Sequence, residues 1–186
     1  MDNARLMELI SLQRHDFLNH FQVISGLLQM NRGEQAREYL NNAAREITRL
    51  SRVVHLKAPE TAAAILLAHY GAAERGINVE YTIETDLEGC TVPSEQLAQA
   101  LEAILLYSAE CLAAPKNKDR AMRVLIRAVD QGYRVEVRYK TPLGITAGDD
   151  DALRDINDSL LLYGGSVKQS DLNGETEIRV SLPTAD

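Results

Sequence analysis

Tryptophan is absent from this 186-residue chain, and cysteine, phenylalanine and histidine are scarce, at two, two and four residues. Cys90 and Cys111 are too few and too far apart for metal-ligand spacing or a disulfide framework, and they read as ordinary small residues. No apolar run approaches the roughly 18 residues needed to cross a bilayer. Met1-Asp2-Asn3-Ala4-Arg5 lacks the basic-then-apolar order of a signal peptide, so a cytoplasmic location without a membrane partner is expected. Positive charge is also short. The chain holds 20 Lys and Arg against 27 Asp and Glu, a net −7, which argues against nucleic acid as the main partner because phosphate binding needs clustered cations. The hydrophobic fraction, 45%, is enough for a genuine core in one or two small domains.

Two long amphipathic helices are expected first. Leu6, Ile10, Gln13, Phe17, His20, Ile24 and Leu27 recur in steps of four and three, the spacing that keeps one stripe toward a partner helix. The first helix runs to about Met30, Asn31-Arg32-Gly33 supplies a turn, and a second stripe follows at Ala36, Leu40, Ala43, Ile47, Leu50 and Val54. Two striped helices make a thin core, so the hairpin is expected to pair with a second copy as a dimeric four-helix bundle. Ala58-Pro59 ends the second helix, which sets domains of 1–57 and 58–186.

His15 lies two positions from both Gln13 and Phe17, so at about 100° per residue it points roughly 160–200° away from the stripe, into solvent. An imidazole in a model peptide titrates near pH 6.5, so much of it is the free base at neutral pH, able to attack phosphorus through a ring nitrogen. Asp16 is adjacent and Asn19 is one turn on, within reach of the ring. His20 belongs to the stripe and reads as a packed residue. His55 and His69, on other helices without acidic or cysteine neighbours at ligand spacing, receive no role.

Arg14-His15-Asp16 followed by Asn19 and Gln22 resembles the phosphoacceptor box of the sporulation initiation phosphotransferase B family, which is related to the citrate/malate-type sensor histidine kinases. The resemblance implies that His15 carries the phosphoryl group. Asp16 is expected to orient the imidazole or stabilise its protonated form, and Asn19 to hydrogen-bond the phosphoryl oxygens. Arg14 is expected to offset phosphate charge or to meet an acidic partner surface. Leu18, Phe21 and Gln22 are the expected receiver-docking residues, while Phe17, on the stripe, reads as core.

Past Pro59 the pattern becomes mixed. A helix to about Arg75 stops at Gly76, Ile77, Val79, Tyr81 and Ile83 alternate as a strand, and Pro93 opens a helix to about Ala114. Alternation at Val124, Ile126 and Ala128, a turn at Asp130-Gln131-Gly132, and alternation at Val135, Val137 and Tyr139 predict a strand pair. A helix from about Ala152 to Tyr163 precedes a last pair, Ser166 to Gln169 and Thr176 to Leu182, turned at Asn173-Gly174. The expected fold class is α+β: the helical hairpin followed by a two-layer α/β sandwich.

This order of elements, with the closing stretch from Tyr163-Gly164-Gly165-Ser166 to Leu182-Pro183, resembles the ATPase domain of histidine kinases. Where that family has a magnesium-binding helix asparagine, the segment Leu97 to Leu112 offers Ala103 and Tyr107. Where it has an adenine-contacting aspartate and glycines, this chain has Lys140-Thr141-Pro142-Leu143-Gly144-Ile145. Asp149-Asp150-Asp151 falls where a glycine-rich lid would cover phosphates; like charge there opposes ATP, and the run reads as a helix cap on a solvated surface. The domain therefore reads as a degenerate ATPase module that binds no cofactor, and with 14 residues before its histidine the chain is expected to lack an input domain.

The function this implies is a phosphorelay phosphotransferase that passes a phosphoryl group between aspartates of response-regulator receiver domains through His15, in sporulation initiation. The receiver is expected to bring its own Mg2+. Two other readings stay open: an ATP-dependent cytoplasmic sensor histidine kinase, and a non-catalytic scaffold that docks receivers.

Overall fold

In the computed structural model, residues 3–114, 117–141 and 151–185 are described, apart from the side chain of Leu172. The chain divides into two compact units, residues 1–52 and 53–186. The boundary falls a few residues before the Ala58-Pro59 break expected from sequence. Val53 and Leu56 are fully or almost fully buried and already belong to the second unit.

The first unit holds α1 (Asn3–Gln29) and most of α2 (Gly33–Val54). Asn31 takes the left-handed conformation at φ 58, Arg32 N–H donates to the Leu27 carbonyl at 2.9 Å, and Asn31 N–H to that of Leu28 at 3.0 Å. These bonds satisfy the last carbonyls of α1 in a Schellman arrangement. Asn31, rather than the Gly33 of the expected turn, thus supplies the reversal, and Gly33 is the first residue of α2. His55 follows the end of α2 as a turn residue, outside any helix.

No residue of α1 is fully buried. Its half-buried positions include Leu9, Leu12, Asp16, His20, Ile24 and Leu27, the side that meets α2. The expected stripe therefore splits. His20, Ile24 and Leu27 are half-buried within the chain, whereas Leu6, Ile10 and Phe17 remain 39%, 49% and 38% exposed. On α2, Ala36 and Ala43 are buried, while Leu40 and Ile47 are exposed.

The second unit continues with α3 (Pro59–Glu74), β1 (Asn78–Ile83), α4 (Ser94–Leu112), β2 (Ala121–Val129), β3 (Gly132–Lys140), α5 (Asp151–Leu161), β4 (Ser166–Leu172) and β5 (Glu175–Leu182). Proline at the first position of α3 loses no hydrogen bond, because that N–H has no partner inside a helix. The starts of α3 and α4 are tied together: Ser94 Oγ donates to Glu60 Oε2 at 2.6 Å and Thr61 Oγ1 to the Ser94 carbonyl at 3.1 Å. The first bond holds the Glu60 carboxyl below the usual glutamate range.

The sheet runs in the order β1-β2-β3-β5-β4, with β1 parallel to β2 and every other pair antiparallel. Alternation places Met122, Val124, Ile126, Val135, Val137, Tyr139, Ile178, Val180 and Leu182 on one buried face, and α3, α4 and α5 supply the second layer. The expected α+β two-layer domain is what forms. The last hairpin turns on Asn173 and Gly174, both at positive φ (54 and 78), the two-residue signature legible in the sequence.

Gly132 opens β3 at φ +133, and a Cβ there would run into the Leu182 carbonyl of β5. Gly132→Ala is expected to cost about 3 kcal/mol through backbone strain and collision together. Urea unfolding of the full chain should then show a lowered midpoint with an unchanged far-UV circular dichroism spectrum.

Candidate functional site

His15 is exposed near the middle of α1. At 100° per residue His15, Leu18, Asn19 and Gln22 fall within roughly 100° of arc, so the helix alone brings four of the expected residues to one face. All four are exposed. Asn19 Nδ2 lies 3.2 Å from His15 Nδ1, an i,i+4 contact held by helix geometry. Among the described residues Nε2 has no partner.

That contact is coupled to the tautomer of the ring. With the amide N–H donating, Nδ1 accepts and the proton of a neutral imidazole sits on Nε2. A half-turn of the amide presents Oδ1 instead, which accepts from Nδ1–H and leaves the Nε2 lone pair free toward solvent.

Asp16 was expected to orient the His15 ring, and here the geometry differs. It sits half-buried on the α2 side, with Oδ2 3.4 Å from His20 Nε2. His20 Nδ1 is 3.0 Å from the Tyr39 hydroxyl of α2. Burial, and after it the charges of Asp16 and Glu46, push the Tyr39 phenol up, so it stays protonated and donates. The chain then runs Tyr39 O–H to His20 Nδ1 and His20 Nε2–H to Asp16. Tyr39 engages one nitrogen of His20 across the hairpin and Asp16, one turn back on α1, approaches the other, which gives His20 the packed role read from its stripe position.

Arg14 is exposed and makes no ion pair among the described residues. Phe21, 68% exposed, lies between the His15 face and the exposed apolar stripe, and Leu18 is 52% exposed. Tyr39 is the residue the sequence reasoning missed. The available signal was its place between the small Ala36 and Ala43, on the side of α2 where a neighbouring helix comes closest.

In the second unit, Ala103 and Tyr107 are half-buried on α4. Neither offers an amide oxygen. Tyr139, beneath them in β3, is a phenol pushed up by burial, beside Cys111, Tyr107 and Ser108. The adenine-side stretch 142–145 and the lid residues 146–150, including Asp149 and Asp150, lie outside the described residues. Asp151 is the first residue of α5 and pairs with Arg154 at 3.1 Å. Among the described residues no group of three or more His, Cys, Asp or Glu is placed to hold a metal, and none of the helices is long and apolar enough to cross a membrane. Cys90 and Cys111 are free thiols.

Residues 1–56 match the family described as Sensor kinase SpoOB-type, alpha-helical domain. Among solved structures, the Acinetobacter baumannii histidine kinase AdeS is similar at TM-score 0.51 and 13% identity, over 92% of this chain and 98% of that one. A nucleotide-free catalytic domain of the histidine kinase ThkA is similar at TM-score 0.55 and 12% identity, over 68% of this chain and 93% of that one. At such identities the likeness is one of fold. No curated protein matches the chain significantly in sequence.

Tyr39→Phe removes the donor to a part-buried ring nitrogen and is expected to cost about 1 kcal/mol, a Tm lowered by about 2–4 °C. His15→Ala, at an exposed position, should leave Tm within about 1 °C of the parent. Differential scanning calorimetry of the two variants checks both.

Proposed function

From a chain that joins a SpoOB-type sensor-kinase helical domain to a histidine-kinase ATPase fold, we propose a phosphorelay histidine phosphotransferase that acts through His15 between aspartates of response-regulator receiver domains. The observation that carries this reading is His15 itself: exposed on the helical face of a SpoOB-type domain, its Nδ1 held by Asn19 and its Nε2 open. The helix residues Ala103 and Tyr107 support independence from ATP, since neither can supply an amide oxygen to a metal.

The receiver's aspartyl phosphate meets Nε2 in line. The Nε2 lone pair forms the N–P bond, the P–O bond to the aspartate breaks, and its electron pair leaves with the carboxylate. In the tautomer that leaves Nε2 free, the Asn19 amide is turned from the Nδ2 contact to present Oδ1, which accepts from Nδ1–H and stabilises the charge developing on the ring. In the return step a second receiver's carboxylate attacks phosphorus and the imidazole leaves. Positioning supplies most of the catalysis, and the Mg2+ belongs to the receiver. Leu18 and Gln22 flank the nucleophile and Phe21 extends the docking surface toward the apolar stripe. The resemblance of the Arg14-His15-Asp16 box to the sporulation phosphotransferases supports reading the relay as one of sporulation initiation.

The same reading includes a homodimer, supported by the exposed Leu6, Ile10, Phe17, Leu40 and Ile47, which a single hairpin leaves in water. Ile10→Glu is expected to convert a dimer to a monomer in sedimentation velocity; an unchanged sedimentation coefficient would remove that part of the proposal.

The kinase reading draws on the same fold likeness, and one experiment separates the readings. A chemically phosphorylated receiver is mixed with the wild type, His15→Ala and His20→Ala without ATP, beside an ATP-only control. Label is expected on the wild type and on His20→Ala, and none on His15→Ala or from ATP alone. Asn19→Leu should slow transfer about fivefold, the loss of one hydrogen bond, and Asn19→Asp should retain it. Label from ATP alone would move the protein to the kinases, and receiver binding without label would make it a scaffold.

A further inference from the structure

The face of the sheet opposite α3, α4 and α5 is lined by charge. Residues directly opposite on neighbouring antiparallel strands normally carry opposite charges, because like charges there repel. Three such pairs on this face are cationic on both sides: Arg123 with Arg138, Arg127 with Arg134, and Lys168 with Arg179.

Carboxylates within the face offset part of this. Glu136, only 2% exposed, binds Arg127 at 2.8 Å and Arg138 at 2.7 Å. Glu177 binds Arg138 at 2.6 Å and also Arg179, and Glu175 binds Arg123 at 2.7 Å. Arg134 and Lys168 have no carboxylate partner among the described residues. The Nε atoms of Arg127, Arg134, Arg138 and Arg179 are buried without an acceptor, so donors outnumber acceptors across the face.

The excess is concentrated at one end. There Arg127, Arg134, Arg179 and Lys168 lie on four adjacent strands; Arg127 is paired with Glu136 and Arg179 with Glu177, which leaves Arg134 and Lys168 as the cations without a carboxylate among the described residues. Strand spacing makes this patch roughly 14 Å across and two residues along the strands roughly 7 Å deep.

We propose that this open face of the sheet docks a carboxylate-rich surface of a partner protein, seated across Arg134 and Lys168. The like-charge pairs cost stability in the free chain and become favourable when a partner's carboxylates insert between them. Charge complementarity selects the occupant. The patch is a small cationic island in a chain of net −7, so a duplex or an anionic bilayer extending beyond it meets repulsion, whereas a localised acidic cluster does not. Four cations also fall short of the 6–10 phosphate contacts of a typical DNA-binding protein. The proposal is independent of chemistry at His15.

The test is NMR titration of the 15N-labelled full chain with a ten-residue polyglutamate peptide at low salt. Amide shifts are expected along β3, β4 and β5, with binding at least tenfold weaker in Arg134→Glu/Lys168→Glu. The same charge change at the exposed Arg32 and Lys57 should leave affinity within about twofold. Relief of the like-charge pairs should raise the Tm of the sheet variant by about 1–3 °C at low salt, a gain that fades in 0.5 M salt, which also shows that it folds. Shifts confined to other elements, unchanged affinity in the sheet variant, or tighter binding of a 12-base-pair duplex or phosphatidylserine vesicles at the same face would each overturn the proposal.

Discussion

Two helices cannot enclose an apolar core, and the organisation of the hairpin follows from that constraint. Each helix can turn only one side to the other, so on α1 the α2 side takes Leu9, Leu12, Ile24 and Leu27, and only to half-burial. A second apolar stripe, Leu6, Ile10 and Phe17, is left in water. His15 occupies a third direction, roughly 100° from the α2 side and roughly 180° from the exposed stripe. A nucleophile on that face stays accessible whichever surface covers the stripe. It also inherits the rigidity of a helix packed on its α2 side.

Helix periodicity separates the two histidines by surroundings as well as by position. Five residues is one and a half turns less a fraction, enough to carry His20 to the inter-helix side while His15 faces outward. There His20 meets the Tyr39 hydroxyl and the Asp16 carboxylate, both of its nitrogens are used, and a polar group at a helix interface is satisfied rather than orphaned. At His15 a single amide contacts Nδ1, and the other nitrogen is left for chemistry. The same residue type is packed or left accessible according to how many of its two nitrogens the neighbouring side chains use.

Periodicity made most of this legible in the sequence. The period of 3.6 gave both helices of the hairpin and the exposure of His15, and the period of 2 gave β1, β2 and β3, since each turns its apolar residues to one face. Paired choices between similar residues were harder to read. Asn31 and Gly33 both tolerate a left-handed backbone, and the hydrogen bonds to Leu27 and Leu28 decide for Asn31. Asp16 is next to His15 in sequence but about 100° away around the helix, so adjacency misassigned it, and the i+4 spacing to His20 was the better guide. β4 runs past its expected end at Gln169 to Leu172, because ladder pairing with β5 continues where Asp171 and Leu172 break the alternation.

The sheet states the same lesson in charge rather than hydrophobicity. Its helix-covered face obeys burial so fully that Met122, Ile126, Val135, Ile178 and Val180 are all within 1% of complete exclusion from water. The opposite face has no such constraint, and its residues were free to be chosen for stability by alternating sign across strands. Glu136 and Glu177 follow that rule, each placed across from an arginine of β5 or β3. Arg127 with Arg134 and Lys168 with Arg179 break it. Local repulsion retained in a sheet whose other face is packed to completion is a cost the fold does not require, and that places its explanation outside the folded chain, in what the face meets.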